Sequence, residues 1–208
     1  MSAVLAIWND CKAGREAVYE AWYREEHLIE RLNVPGCEVG RRYIALDAER
    51  RYLTSYEVAN AEVLQSSEYL GRLNTPSART RDIMQDGFEN MSRTVCNRTL
   101  STGPIRGAIV VTAAWSDGSA HSDHFDDLSA QEAVLHAELW LAAGKISAQP
   151  TAEQALRGKD KSISCCLLLE FSSERDARQP FDDLRRAAPE ADVGLYQKTC
   201  ELRESDLT

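Results

Sequence analysis

Residues 37–58 read CEVGRRYIALDAERRYLTSYEV, and their period decides the fold. Cys37 to Leu46 is rich in β-branched, aromatic and alternating residues. Asp47-Ala48-Glu49-Arg50 is turn-forming, and Tyr52 to Val58 repeats the β pattern. Two such runs joined by a short polar turn make a hairpin.

Working outward, the hairpin is flanked by helical sequence. Before it, a helix is expected from about Gly14 to Leu32, with Val18, Trp22, Glu25/Leu28, Ile29 and Leu32 on its inner stripe and Pro35-Gly36 stopping it. After it, helical sequence resumes near Ala61 and again near Pro76, where Thr75 is placed to cap and Pro76 suits the first helical position. Strands from Ala3 to Trp8 and from Ser92 to Leu100 close the unit, which reads β-α-β-β-α-β.

A seam falls at Ser101-Thr102-Gly103-Pro104. Beyond it the order repeats: strand Ile109–Trp115, helix Phe125–Val134, strand Leu135–Ala142, a long connection through Pro150, strand Ser162–Phe171, helix Ser173–Ala187 and strand Val193–Leu202. The expectation is an α+β chain of two units, 1–103 and 104–208, whose antiparallel sheets pack face to face.

Composition narrows the function classes. The 208 residues carry 24 basic and 33 acidic side chains, a net charge of −9. That balance argues against a nucleic-acid partner. No apolar run is long enough to span a bilayer, and the N-terminus lacks the basic flank of a signal peptide, so no membrane partner and a cytoplasmic location are expected. Six cysteines without a CxxC pair read as reduced, mostly buried thiols. No GxGxxG, P-loop or GxSxG pattern occurs.

Several residues carry chemistry. His27 lies on the polar-to-apolar border of the first helix, where an imidazole can serve as a general base without a metal. The plainer reading is a helix-end histidine favoured by the macrodipole. Arg41, Arg42 and Tyr43 are consecutive on a strand, so Arg41 and Tyr43 share one face and Arg42 takes the other. The arginine that faces inward either anchors a substrate carboxylate or enolate, or pairs internally with Glu20, Glu26 or Glu57. Trp8, Trp22, Tyr23, Tyr52 and Tyr56 form either an aromatic pocket wall or core. His121 and His124, with Asp123 and Asp126, are the one metal-like cluster, and the carboxylates equally suit helix capping. His136 reads as strand packing, and Cys165-Cys166 as core.

The segment Trp22-Tyr23-Arg24-Glu25-Glu26-His27-Leu28, with Val34-Pro35-Gly36 and Gly40-Arg41-Arg42-Tyr43 after it, resembles the dimeric α/β-barrel superfamily, in particular its EthD-like members. The similarity continues through Arg51-Tyr52-Leu53, Tyr56-Glu57, Tyr69 and Thr75-Pro76, and covers about the first 100 residues. Cys37 stands where an aromatic is usual, and the second unit has no counterpart of the helix motif. The resemblance implies tandem ferredoxin-like repeats forming a barrel, and it implies function only loosely.

Two functions from different classes suit these residues. One is a cofactor-independent enzyme in which His27, Arg42 and Tyr43 act on a carbonyl-bearing cyclic or aromatic substrate held by Trp8, Trp22, Tyr23, Arg41 and Tyr56. Its chemistry is isomerase, cyclase or lyase type through an enolate, or cofactor-free oxygenation. The other is a haem-dependent monooxygenase, or a non-catalytic barrel that carries a small molecule or binds haem with His27 as axial ligand. No metal or organic cofactor is assigned to the first, and a homodimer is expected.

Overall fold

The computed structural model describes residues 1–119, 121–122, 125–144 and 151–207. Its strands are β1 (Ala3–Cys11), β2 (Cys37–Asp47), β3 (Tyr52–Val58), β4 (Phe88–Thr102), β5 (Ile109–Trp115), β6 (His136–Ala142), β7 (Cys165–Phe171) and β8 (Asp192–Arg203). They close one barrel in the order β1-β3-β2-β8-β5-β7-β6-β4, with every neighbouring pair antiparallel. Within each half the order is the same, β4-β1-β3-β2 and β8-β5-β7-β6. The halves join edge to edge through β2–β8 and β4–β6, so the expected face-to-face sheets are the two walls of one closed barrel. Closure leaves none of these strands with an unpaired edge and needs only one chain.

Strand alternation divides the apolar residues into layers. Val4, Ala6 and Trp8 of β1 point into the barrel, where they meet Tyr43, Leu53, Val110, Trp140, Leu168 and Tyr196. Leu5 and Ile7 point outward, against Leu28, Leu32, Tyr56, Leu64, Tyr69 and Leu73. On the far wall, Phe181 and Leu184 of the helix Glu174–Ala187 cover Val111, Leu169 and Leu195. Strands buried on both faces read as near-continuous apolar runs, which is why β5 and β7 were plain in the sequence.

The first helix departs from expectation in phase. It begins as α1 (Glu16–Trp22), passes through a π-helical turn (Tyr23–His27) and resumes as α2 (Leu28–Leu32). In the turn the Leu28 N–H donates to the Tyr23 carbonyl, five residues back. One extra residue in the turn rotates the helix beyond it, so His27, Leu28, Arg31 and Leu32 are buried while Ile29 lies outside; Val18, ahead of the turn, is exposed as well. Gly40 of β2 lets α2 approach, since a Cβ there would sit 2.6 Å from Leu28 Cδ1 and 2.9 Å from Leu32 Cδ2.

The remaining helices are α3 (Ser67–Asn74), α4 (Ala78–Asp86), α5 (Phe125–Ser129), α6 (Ala152–Arg157) and α7 (Glu174–Ala187). Ser77, not Thr75, caps α4, accepting from the Thr80 N–H at 3.0 Å, and Pro76 lies outside the helix. Ser173 caps α7 as expected. The predicted helix 125–134 stops at Ser129. The connection through Pro150 falls partly outside the described residues, and its end forms α6, which the periodicity did not indicate. Among the described residues no helix is long and apolar enough to cross a membrane.

Candidate active site

His27 is 5% exposed, in the π-helical turn, and faces the outer wall of the barrel. Its ring stacks on Trp22, with centroids 4.1 Å apart and 29° between planes, and meets Tyr23 edge-on at 5.1 Å. Trp22 is held in turn by Thr80 of α4, which accepts from the indole N–H at 3.0 Å and donates to Glu26 at 2.8 Å. Burial, with the Arg31, Arg42 and Arg157 cations nearby, pushes the His27 pKa well below its ordinary value, so the imidazole is neutral.

Beside His27 lies a cavity of about 20 Å³, room for one or two waters. Leu5, Ile7 and Tyr56 of the barrel wall form its floor; Arg31 and Tyr23 come from the first helix, Tyr69 and Leu73 from α3, Met84 from α4, and Glu153 and Arg157 from α6. Three buried polar atoms of this lining have no hydrogen-bond partner: His27 Nδ1, Arg31 Nη1 and the Tyr56 hydroxyl. Buried polar groups are almost always paired, so three such atoms around one space mark it as a place for polar atoms, whether of bound water or of a ligand. Burial pushes the Tyr56 pKa far up, which keeps its hydroxyl protonated and able to donate. Arg31 pairs through Nη2 with Glu153, a contact between groups 122 residues apart.

The sequence-predicted set is split by the sheet. Tyr23, Trp22 and Tyr56 gather around His27. Arg42 is on the same side but behind Tyr23, its guanidinium 3.5 Å from that ring's centroid and bonded to Glu20 at 3.1 Å. Tyr43, Arg41 and Trp8 are inside the barrel, on the other face, and do not share a site with His27. Alternation forces this, because Tyr43 comes one residue after Arg42. Of the two readings for the arginines, the internal pairs are what the structure contains: Arg41 with Glu57 and Glu201, and Arg42 with Glu20. Tyr52 packs with Tyr19 as core.

Residues that the sequence reading did not single out replace those lost. Arg31 is four residues beyond His27, a spacing that would have suggested a shared face. Glu153 carried no local signal. The barrel interior also holds an ionic cluster. Glu138, 1% exposed, accepts from His136 (2.8 Å), Arg98 (3.1 Å) and the Trp140 indole (2.6 Å), and forms an ion pair with Arg106 (2.9 Å). His136 therefore does more than pack: its Nδ1 also lies 2.6 Å from the Gly103 carbonyl, so both ring nitrogens are engaged. His121 stacks on Trp115 at 4.4 Å and bonds Asp117, while Asp123 and His124 lie outside the described residues. Among the described residues no group of histidine, cysteine and carboxylate side chains is arranged to hold a metal. The space beside His27 is also far too small for haem, so the donors as arranged do not fit that group.

A closed antiparallel eight-stranded barrel with a buried His-Arg-Tyr cavity under its helices is the class that fold and site define. No protein-family model and no curated protein sequence matches the chain. Solved structures do. An anthrone oxidase-like protein aligns at 11% identity over 100% of this chain and 94% of that one, with a TM-score of 0.63. A candidate monooxygenase from Fusobacterium nucleatum aligns at 8% identity over 97% and 94%, with a TM-score of 0.56. A candidate chlorite dismutase aligns at 11% identity over 99% and 97%, with a TM-score of 0.54. These likenesses are of fold, and they agree with the barrel superfamily that the N-terminal motif resembles.

Proposed function

We propose that the chain is a cofactor-independent enzyme of small-molecule metabolism whose site is the His27 cavity. The observation that carries this reading is the convergence of three unpartnered buried polar atoms, on His27, Arg31 and Tyr56, around one space. Neutral His27 takes a proton from carbon or oxygen of a carbonyl-bearing cyclic or aromatic compound, which enters as α6 moves outward, since the closed space holds only one or two waters. Arg31 and the Tyr56 hydroxyl then donate to the oxygen on which negative charge develops. Arg42 backs Tyr23, and its charge adds to burial and to Arg31 in keeping His27 neutral. The units 1–103 and 104–208 are proposed to be tandem ferredoxin-like repeats of EthD-like ancestry, a reading supported by the shared strand order of the halves. The second unit contributes to the site, since α6 roofs the cavity.

The test is proton exchange. Anthrone, 1-tetralone and their carboxylated derivatives are incubated anaerobically in deuterated buffer and monitored by NMR. Exchange at the acidic methylene, beside the carbonyl in 1-tetralone and across the central ring from it in anthrone, that falls at least about 100-fold in His27→Gln is the expected result. Equal exchange by wild type and His27→Gln would remove His27 from the chemistry. A second reading draws on the named activities of the fold neighbours. Under air, the carbanion of anthrone reacts with dioxygen to give anthraquinone and water, so quinone formed by the wild type and lost in His27→Gln favours oxygenation.

A further inference from the structure

Arg31 is 3% exposed, yet it is only half used. Nη2 bonds one oxygen of Glu153, and Nη1 has no partner. A buried guanidinium with a spare donor is costly, and a carboxylate gripped through both nitrogens is the geometry that removes the cost.

Glu153 is an unusual anchor. Of the six residues of α6, it alone is buried. A short helix held down by an apolar side chain would be the more stable construction, because burying an ion pair gives back little net free energy. Elsewhere α6 is held by the Ala152 N–H on Asn74 at 3.1 Å, by the Thr151 cap, and by Leu156, which packs against the Tyr19, Trp22 and Tyr23 cluster. Glu153 is thus a carboxylate inserted into a cavity whose other charged groups, Arg31, Arg93 and Arg157, are cationic. Arg157 is matched by Asp160 at 2.7 Å, whereas Arg93 donates to the Tyr69 hydroxyl at 2.9 Å and forms no ion pair among the described residues.

We propose that the His27 cavity takes a carboxylate-bearing ligand, and that Glu153 is an internal stand-in for that carboxylate on Arg31. This rests on reading the cavity as the substrate site. An entering carboxylate takes both Arg31 nitrogens, Glu153 leaves with α6, and the outward movement enlarges the space. The ligand's remaining polar atoms meet the Tyr56 hydroxyl and His27 Nδ1.

Benzoate and its neutral counterpart benzamide are the probes, titrated into the full chain by calorimetry and by ligand-induced shift in melting temperature. Glu153→Gln, which removes the competing charge, is expected to bind benzoate at least about tenfold more tightly than wild type. Its melting temperature should then rise more with benzoate than that of wild type. Benzamide should bind neither protein measurably, and Arg31→Gln should abolish the benzoate response. If Glu153→Gln is too unstable to purify, Glu153→Asp, which withdraws the carboxylate by one methylene, should show an intermediate gain.

Equal benzoate affinity in wild type and Glu153→Gln overturns the proposal. So does benzamide binding as well as benzoate, or the absence of benzoate binding in both proteins. Benzoate binding in the expected pattern by a protein that exchanges no protons would retain the anion site and reject the catalytic reading.

Discussion

Trp22 and His27 stack face to face although five positions separate them along the first helix. In an unbroken α-helix that spacing is about 140° out of register. The π-helical turn, closed by the Leu28 N–H on the Tyr23 carbonyl, brings the two rings together and turns the imidazole inward. A single inserted residue therefore converts a border position into a buried one.

The buried position sets a pH dependence. The folded-state pKa of His27 is depressed below the ordinary value of 6.5, while the unfolded chain binds a proton near that value. Below pH 6.5 the unfolded state thus carries the extra proton, and stability falls as pH falls. The slope is at most about 1.4 kcal/mol per pH unit for one group. Urea unfolding of wild type and His27→Gln at pH 7.5, 6.5 and 5.5 isolates it, because the other titrating groups cancel in the difference. The expected result is a stability gap between the two proteins that changes in favour of the variant as pH falls. A gap independent of pH would mean that the imidazole is not neutral in the folded state.

Much of the barrel was legible in the sequence because strands buried on both faces advertise themselves; β3 and β5 have the boundaries that their apolar runs suggested. The hairpin at residues 37–58 was local, and so it was readable. The site was legible only in part. His27, Trp22, Tyr23 and Tyr56 were chosen for their chemistry and do gather in one place. Arg41 and Tyr43 were placed with them despite an alternation that sends Tyr43 to the face opposite Arg42. Which face of β2 met the helices could not be read, because both faces are buried and carry polar groups. Glu153 was beyond reach, since its partner lies 122 residues away and α6 has no apolar stripe to reveal it.

Inside the barrel, Glu138 holds its cluster together. Its pKa is driven far below the usual carboxylate range by its contacts with His136, Arg106, Arg98 and the Trp140 indole, which outweigh the cost of burial. Its stabilising contribution is therefore present above the unfolded value of 4.5 and is lost as pH falls below it. Glu138→Gln removes the charge shared by four groups, the buried His136 and Trp140 and the partly buried Arg98 and Arg106, and should cost about 3–5 kcal/mol at pH 7. Glu201→Gln, at the half-exposed rim, should cost about 1 kcal/mol or less. Urea midpoints of the two variants test the ordering, and equal losses would refute the buried cluster as the stronger contributor.

Gly40 and Gly71 should respond to alanine in opposite directions. A Cβ at Gly40 meets Leu28 Cδ1 at 2.6 Å, Leu32 Cδ2 at 2.9 Å and Tyr56 Cε1 at 3.2 Å, all within packed core. Gly40→Ala should therefore destabilise by about 1–3 kcal/mol. It should also disturb the His27 cavity, since Leu28 is the next residue after His27 and Tyr56 lines the space. At Gly71, in α3, nothing lies within 4 Å, and alanine should stabilise by about 0.5–1 kcal/mol through helix propensity. Denaturant midpoints decide the signs; a neutral Gly40→Ala would show that α2 can lift from β2 without cost.

The six cysteines offer a probe of the same burial without any mutation. All are free thiols, four buried and two, Cys11 and Cys200, partly exposed. Burial pushes Cys11, Cys37 and Cys165 up to about 11 and Cys96 to about 12, and raises Cys166 and Cys200 as well. At a pKa of 11 only about one thiol in three thousand is ionised at pH 7.5, so even the partly exposed Cys11 should react slowly, and burial slows Cys200 in the same direction. A disulfide reagent at that pH should label Cys11 and Cys200 over a long time course and reach the other four only in denaturant. Cys37 packs beside Leu32 and Val34 beneath the helices, so its appearance is a reporter for opening of that layer. If benzoate or another carboxylate lifts α6 alone, Cys37 stays protected while the ligand binds. Labelling of Cys37 on ligand addition would instead mean that the whole helical layer moves away from the barrel wall.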